Sequence, residues 1–165
     1  MYRKKSFIDA GGPDTDPEVR QCEDMAMHCK LAQAGLRFSV EEESCIINYA
    51  VSGSMSRSEE SYQRIIPAIY ALYKKAFDCL TDGQKTPERL SAIGLRMWKH
   101  TRHAAWMSSW DFVKKSIELA KRCGVSEPLD DSKSFQVLCR LNPFFAVMFR
   151  EYLARISRKP GSYWY

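Results

Sequence analysis

The sequence predicts an all-α protein, a single-domain bundle of six to seven helices, and three observations carry this prediction. Apolar residues recur at helical spacings of three and four along most of the chain, and no segment shows convincing strand alternation. Helix-start signals, in which a capping residue precedes proline, occur at Asp16-Pro17 and Thr86-Pro87. The chain has 165 residues, of which 45% are hydrophobic, so it fits one domain and excludes a wholly disordered protein.

Three regions are predicted along the chain. Residues 1–15 carry Arg3-Lys4-Lys5 and then Gly11-Gly12-Pro13, which indicates a flexible basic N-terminal arm. Residues 16–158 form the helical bundle. Residues 159–165 follow the stop signal Lys159-Pro160-Gly161 and form an aromatic C-terminal tail.

Three helices are predicted in the first half of the bundle. The first runs from Asp16 to about Ala34, and Gly35 caps its end. The second covers about 40–51 and opens with a capping box of Ser39 and Glu42. The third begins after Ser56 and carries an apolar stripe to Leu80, with Pro67 predicting a kink about one turn earlier.

The second half of the bundle is predicted as two longer helices, over about 87–107 and 109–123, and two shorter ones. The break near 108 is favoured because Ser108 and Asp111 form a capping box where the apolar face shifts. A short helix covers 134–141, and Asn142-Pro143 restarts the chain as a helix over 144–158.

This last helix is apolar nearly all round, which is typical of a central helix in a bundle. We therefore predict that Phe145, Phe149 and Tyr152 lie in the bundle centre. Replacing Phe149 by Ala is then expected to cost about 3–5 kcal/mol.

The net charge of +5 is unevenly distributed along the chain. Residues 14–60 carry four positive and ten negative charges, whereas residues 85–122 carry nine positive and three negative charges. An acidic first third and a basic second half are typical of a nucleic-acid surface, a membrane surface or head-to-tail self-association.

The basic residues of the helix over 87–107 share one face. At 100° per residue, the following fall within an arc of about 100°: Arg89, Arg96, Lys99, His100 and His103. Arg102 lies off this stripe, near Trp106. Guanidinium groups at helical spacing grip phosphates through bidentate bonds, and Trp98, Trp106 and Trp110 offer stacking surfaces for unpaired bases. A solvated helix face and core tryptophans are the alternative interpretation.

The aromatic tail ends in Tyr163, Trp164 and Tyr165, which are costly to expose to water. These side chains either fold back on the bundle or insert into a partner: a second copy, a groove of another protein or a base stack.

No motif for enzyme chemistry is found. Phosphate-binding glycine loops, nucleophile elbows and His-Glu-x-x-His are all missing, so we predict no catalytic residue, no metal site and no cofactor. His100 and His103 share a face, but the neighbouring Arg96, Lys99 and Arg102 repel a cation. An enzyme using thiol or acid–base chemistry is the weakest of the functional hypotheses.

The cysteines and the N-terminal residues predict a cellular compartment. No Cys-x-x-Cys and no apolar secretory segment occur, and no apolar run approaches the roughly 18 residues that a membrane span needs. We predict six free thiols and an intracellular location, in the cytoplasm or nucleus. The cysteines are Cys22, Cys29, Cys45, Cys79, Cys123 and Cys139.

These patterns predict a non-enzymatic protein that binds RNA or a nucleoprotein through its basic face and self-associates as a homo-oligomer. By analogy of fold class, a small viral protein of the nucleocapsid-associated, matrix or silencing-suppressor type fits this profile. The alternative is a protein–protein interaction adaptor that uses a hydrophobic groove or the aromatic tail. Salt-sensitive binding to generic RNA separates the two hypotheses.

Overall fold

Residues 3–37, 59–129 and 131–157 are described in a computed structural model of the chain. Within these ranges the chain forms α-helices and two short 3₁₀ helices, with no strand, which confirms the all-α class. The seven α-helices of these ranges are α1 Lys4–Asp9, α2 Glu23–Gln33, α3 Glu59–Asp78, α4 Pro87–Trp106, α5 Trp110–Arg122, α6 Lys133–Leu141 and α7 Pro143–Ser157. The 3₁₀ helices are Pro17–Cys22 and Asp82–Gln84. The predicted helix over 40–51 and the aromatic tail lie outside the described residues.

The chain divides into two compact units, Met1–Leu72 and Tyr73–Tyr165. The core of the first unit joins the 3₁₀ helix and α2 to the N-terminal part of α3, through Val19, Cys22, Ala26, Ala68 and Leu72. All five side chains are almost fully buried, and Ile65 and Ile69 pack against them.

The entry into α2 is tighter than the sequence suggests. Asp16 caps this segment as predicted, because its carboxylate accepts a hydrogen bond from the Glu18 backbone N–H at 3.0 Å. The first turns are nevertheless 3₁₀ rather than α-helical, and α2 begins only at Glu23. Pro67 lies inside α3, as the apolar stripe predicts.

Part of the predicted N-terminal arm has regular structure. Residues 4–9 form α1, and the following turn is tied down by Lys30 of α2. The Lys30 ammonium donates to the carbonyl oxygens of Gly11, Gly12 and Pro13, at 3.3, 2.9 and 3.5 Å. The sequence prediction missed this contact because three backbone carbonyls converging on one lysine leave no mark in local composition.

The second unit is built on the packing of α4 against α5. Met97 and Ala104 of α4 are fully buried, and so are Val113 and Ala120 of α5. The break between the two helices falls where the sequence predicts it, since Ser108 adopts a left-handed backbone with φ 58°. No side chain caps the start of α5, so the predicted capping box there does not form.

Helices α6 and α7 complete this unit, and side-chain caps fix both starts. Ser132 accepts a hydrogen bond from the Phe135 N–H, and Asn142 accepts one from the Phe145 N–H at 3.0 Å. Arg150 joins the two helices, because its guanidinium lies 4.0 Å from the ring centre of Phe135 and pairs with Asp131 at 2.8 Å.

The prediction that Phe145, Phe149 and Tyr152 lie in the bundle centre is wrong. Their side chains are 49%, 42% and 61% exposed. The buried side of α7 is instead lined by small residues, chiefly Ala146 and Val147. The helix is apolar on two sides, and the side with the bulky residues faces outward.

Five of the six cysteines belong to the described residues, and all five are free thiols. Burial raises the pKa of Cys22 and of Cys139 to about 11, and it also raises the pKa of Cys29 and of Cys123. Such thiols stay protonated at neutral pH and are therefore poor nucleophiles. No helix in the described ranges is long and apolar enough to cross a bilayer.

Candidate nucleic-acid interface

Helix α4 has one buried and one exposed face. Its buried arc contains Gly94, Met97, Trp98, Thr101 and Ala104, all packed in the second unit. The exposed arc spans about 140° on a helical wheel and is populated mainly by basic side chains. These are Arg89, Arg96, Lys99, Arg102 and His103, and we call this set the α4 basic face.

The start of α4 is fixed by Thr86 and Pro87. The Thr86 hydroxyl accepts a hydrogen bond from the Arg89 backbone N–H at 3.4 Å, and Pro87 occupies the first turn, where its missing N–H costs nothing. The one acidic residue of the helix, Glu88, lies at the positive end of the helix dipole. Hydrogen bonds from its own backbone N–H and from Thr86 lower the pKa of its carboxyl.

The cations of the α4 basic face are not neutralised within the part of the chain that the structure describes. Arg96, Lys99 and Arg102 have no carboxylate partner there, and the Arg89 guanidinium hydrogen-bonds there only to the Gln84 backbone carbonyl, at 3.4 Å. Other arginines of the same unit differ in this respect: Arg140 pairs with Glu127, and Arg150 with Asp131. The face therefore offers four permanent positive charges to an external anion.

His100 does not belong to this face, contrary to the sequence prediction. Only 3% of its surface is exposed, and its Nδ1 lies 2.9 Å from the Ser116 hydroxyl of α5. The helical wheel places His100 at the boundary of the basic arc, where a packed neighbour decides between burial and exposure. His100 therefore helps to hold α4 on α5 and does not contact a ligand on the basic face.

His103 stays on the α4 basic face, with an altered titration. Desolvation, and secondarily the positive charge of Arg102, lower the pKa of its imidazole. His103 is therefore mostly neutral at neutral pH and gains its charge at a lower pH than an unperturbed histidine.

The three tryptophans predicted as stacking surfaces differ in their burial. Trp98 is buried, 2% exposed, and its indole N–H donates to the Val125 carbonyl at 3.1 Å. Trp110 is partly buried and meets Phe144 edge-on, with 6.1 Å between ring centres. Trp106 alone of the three is 37% exposed, on the same arc as Lys99 and Arg102. A stacking role is therefore confined to Trp106.

The C-terminal end of α4 is held by Arg155, a residue that sequence reasoning did not single out. Its guanidinium Nη2 donates to the carbonyl oxygens of Ala105 and Trp106, at 3.1 and 3.2 Å, and to the Ser108 hydroxyl at 2.9 Å. Glu151 accepts from its Nε at 2.9 Å. A cation at the negative end of the helix dipole satisfies orphan carbonyls and fixes the backbone next to Trp106.

The remaining sequence-predicted site residues, Tyr163, Trp164 and Tyr165, lie outside the described residues. Among the residues that are described, no group of three or more histidine, cysteine or acidic side chains is close enough to hold a metal ion.

Comparison with known proteins identified no relative of the chain. The chain matches no protein-family model, and the searches of curated proteins and of solved structures found no significant match.

Proposed function

We propose that the chain is a non-enzymatic protein that binds RNA, free or in a nucleoprotein, through the α4 basic face. One observation carries the proposal: Arg89, Arg96, Lys99 and Arg102 lie along one exposed helix face, without carboxylate partners in the described residues. A row of unneutralised cations attracts a polyanion and releases its counterions.

Single-stranded RNA is the form of nucleic acid that this surface suits best. Trp106 is exposed beside Arg102 and Lys99, so a base stacks on the indole while the flanking phosphates contact the cations. A duplex has no free base face to offer to Trp106. We therefore expect little preference for sequence and a clear preference for single strands over duplexes.

This function fits an intracellular protein, in the cytoplasm or nucleus, where RNA is accessible. By analogy of fold class, it also fits a small viral helical protein of the nucleocapsid-associated, matrix or silencing-suppressor type.

The proposal is tested by the salt dependence of binding. In the triple variant Arg89→Ala, Arg96→Ala, Lys99→Ala, we expect the slope of log affinity against log salt to flatten by about 2. Each of the three lost phosphate contacts to a single strand contributes about 0.7 to this change in slope. Fluorescence anisotropy with a labelled oligouridylate measures the slope. The melting temperature should change little, since exposed charges contribute little to stability.

A matched control removes the same charge from the same unit. The control variant carries the changes Lys115→Ala, Lys121→Ala and Lys133→Ala. It removes three exposed cations from α5 and α6 and lowers the net charge by the same amount as the first triple variant. We expect this variant to keep most of the wild-type slope. Equal slopes in the two triple variants mean that net charge rather than the α4 basic face drives binding, and an unchanged slope in the first variant contradicts the proposal.

Acidification should tighten RNA binding through His103. Because its pKa is lowered, His103 is uncharged near pH 7, and affinity should rise only as the pH falls below about 6.5. Protonation then adds one cation to the face, and bound phosphate favours that protonated form. Oligouridylate is the suitable probe because its bases do not titrate in this range.

The control for this prediction is a histidine outside the face. His103→Asn should abolish the rise, whereas His28→Asn, in α2, should retain it. If the RNA affinity of His103→Asn still rises on acidification, groups other than His103 cause the pH dependence.

The adaptor hypothesis also has a structural observation in its favour, which is the exposed apolar side of α7. That surface is apolar rather than basic, so it does not compete with the α4 basic face for a polyanion.

A further inference from the structure

Helix α7 exposes a continuous apolar stripe. Six large side chains share an arc of about 140°, and each is between 40% and 65% exposed. They are Phe145, Met148, Phe149, Tyr152, Leu153 and Ile156, and we call them the α7 stripe. The rings of Phe145 and Phe149 stack nearly parallel within this stripe, with 6.0 Å between their centres.

The spacing along the α7 stripe is that of a coiled-coil seam. Phe145, Phe149, Tyr152 and Ile156 follow one another at intervals of four, three and four, the a/d pattern of a heptad repeat. Met148 and Leu153 flank the seam at the adjoining positions. Such a surface fits another helix with the same spacing.

The exposed area is large for a monomer. The exposed fractions of the six residues add up to about three whole side chains. At the area typical of large side chains, this is roughly 600 Å². The largest apolar patch on a monomeric protein rarely exceeds this area. Val137 and Leu141 of α6, which precedes α7 directly, are 53% and 80% exposed. The α7 stripe alone provides about three quarters of the roughly 800 Å² per partner that a standard interface buries.

Charges on α7 argue against a lipid surface as the occupant. An interfacial helix keeps Lys and Arg free for anionic headgroups. On α7, Arg150 is paired with Asp131, and Arg155 is bound to Glu151 and to the end of α4. The stripe itself contains no charged residue, so it needs no partner of opposite sign.

We propose that the α7 stripe is the interface of a homodimer, in which α7 packs antiparallel against α7 of a second copy. The seam is self-complementary about a twofold axis between residues 150 and 151: Phe145 meets Ile156 of the partner subunit, and Phe149 meets Tyr152 of the partner subunit. Apolar side chains thus face apolar side chains along the whole seam, as an isologous interface requires. This proposal is independent of RNA binding.

The test is sedimentation equilibrium of the full chain from about 1 to 100 µM, compared with two variants. The wild type should approach twice the monomer mass of 19.1 kDa. Ile156→Glu should weaken association at least about tenfold, because each dimer loses two apolar contacts and must bury two carboxylates. The control is Leu129→Glu, because Leu129 is an isomer of isoleucine, is nearly as exposed as Ile156 and lies outside α7. This variant should associate as the wild type does.

Circular dichroism establishes that each variant is folded, and Tyr152→Glu replaces Ile156→Glu if the latter is not. A wild type that remains monomeric throughout this range overturns the proposal and leaves the stripe to another segment or another protein. A dimer that all variants form with equal affinity also overturns it, because the interface then lies elsewhere.

Discussion

Replacing Trp98 by Ala is expected to lower the free energy of unfolding by about 3–5 kcal/mol. Trp98 is 2% exposed on the buried face of α4, so the substitution leaves a large cavity beneath this helix. It also removes the indole N–H that binds the Val125 carbonyl at 3.1 Å. Urea denaturation followed by circular dichroism measures the loss.

Trp106→Ala is the matched control, two turns further along the same helix. Because Trp106 is 37% exposed, its removal should cost clearly less stability than the removal of the buried Trp98. The same change should weaken oligouridylate binding roughly tenfold, since a base loses a stacking partner worth about 1–3 kcal/mol. Similar stability losses in the two variants would contradict the assignment of one tryptophan to the core and one to the ligand.

Gly94→Ala is the second change with a large expected effect. A Cβ at Gly94 would lie 2.6 Å from Cγ2 and 2.8 Å from Cβ of Val125, and 3.2 Å from Cβ of Cys123. Val125 has little room to move, because its N–H is bound to the Ala120 carbonyl and its own carbonyl accepts from Trp98. We expect a loss of about 1–3 kcal/mol, despite the better helix propensity of alanine.

Two further variants separate steric crowding from a general effect of removing glycine. Gly83→Ala meets no atom within 4 Å and should be neutral or stabilising by up to about 1 kcal/mol. In a Val125→Gly background, Gly94→Ala should cost much less, because both crowding atoms of the valine side chain are gone. An equal cost in the two backgrounds would rule out the close approach as the cause.

The helices of the second unit were predictable because their signals are local. Thr86-Pro87, Asn142-Pro143 and Gly124 mark helix ends through backbone chemistry that neighbours in space do not alter. The orientation of α7 was not predictable. Its sequence is apolar on two sides, and only the packing of Ala146 and Val147 against the other helices decides which side is buried.

The candidate site was partly predictable for the same reason. Helical spacing alone groups Arg89, Arg96 and Lys99, since an exposed face depends only on the period of the helix. The burial of His100 depends on Ser116, sixteen residues away, and the capping of α4 depends on Arg155, about fifty residues away. Contacts at these separations leave no periodic signal in the sequence.

Lysine acetylation in the presence and absence of oligouridylate, read by mass spectrometry, tests most directly where RNA binds. Lys99 lies on the α4 basic face, whereas Lys121 of α5 and Lys133 of α6 are exposed elsewhere in the same unit. We predict that RNA protects Lys99 from acetylation and leaves Lys121 and Lys133 as reactive as in the free protein. Protection of Lys121 and Lys133 without protection of Lys99, or no protection at all, would contradict RNA binding by this face.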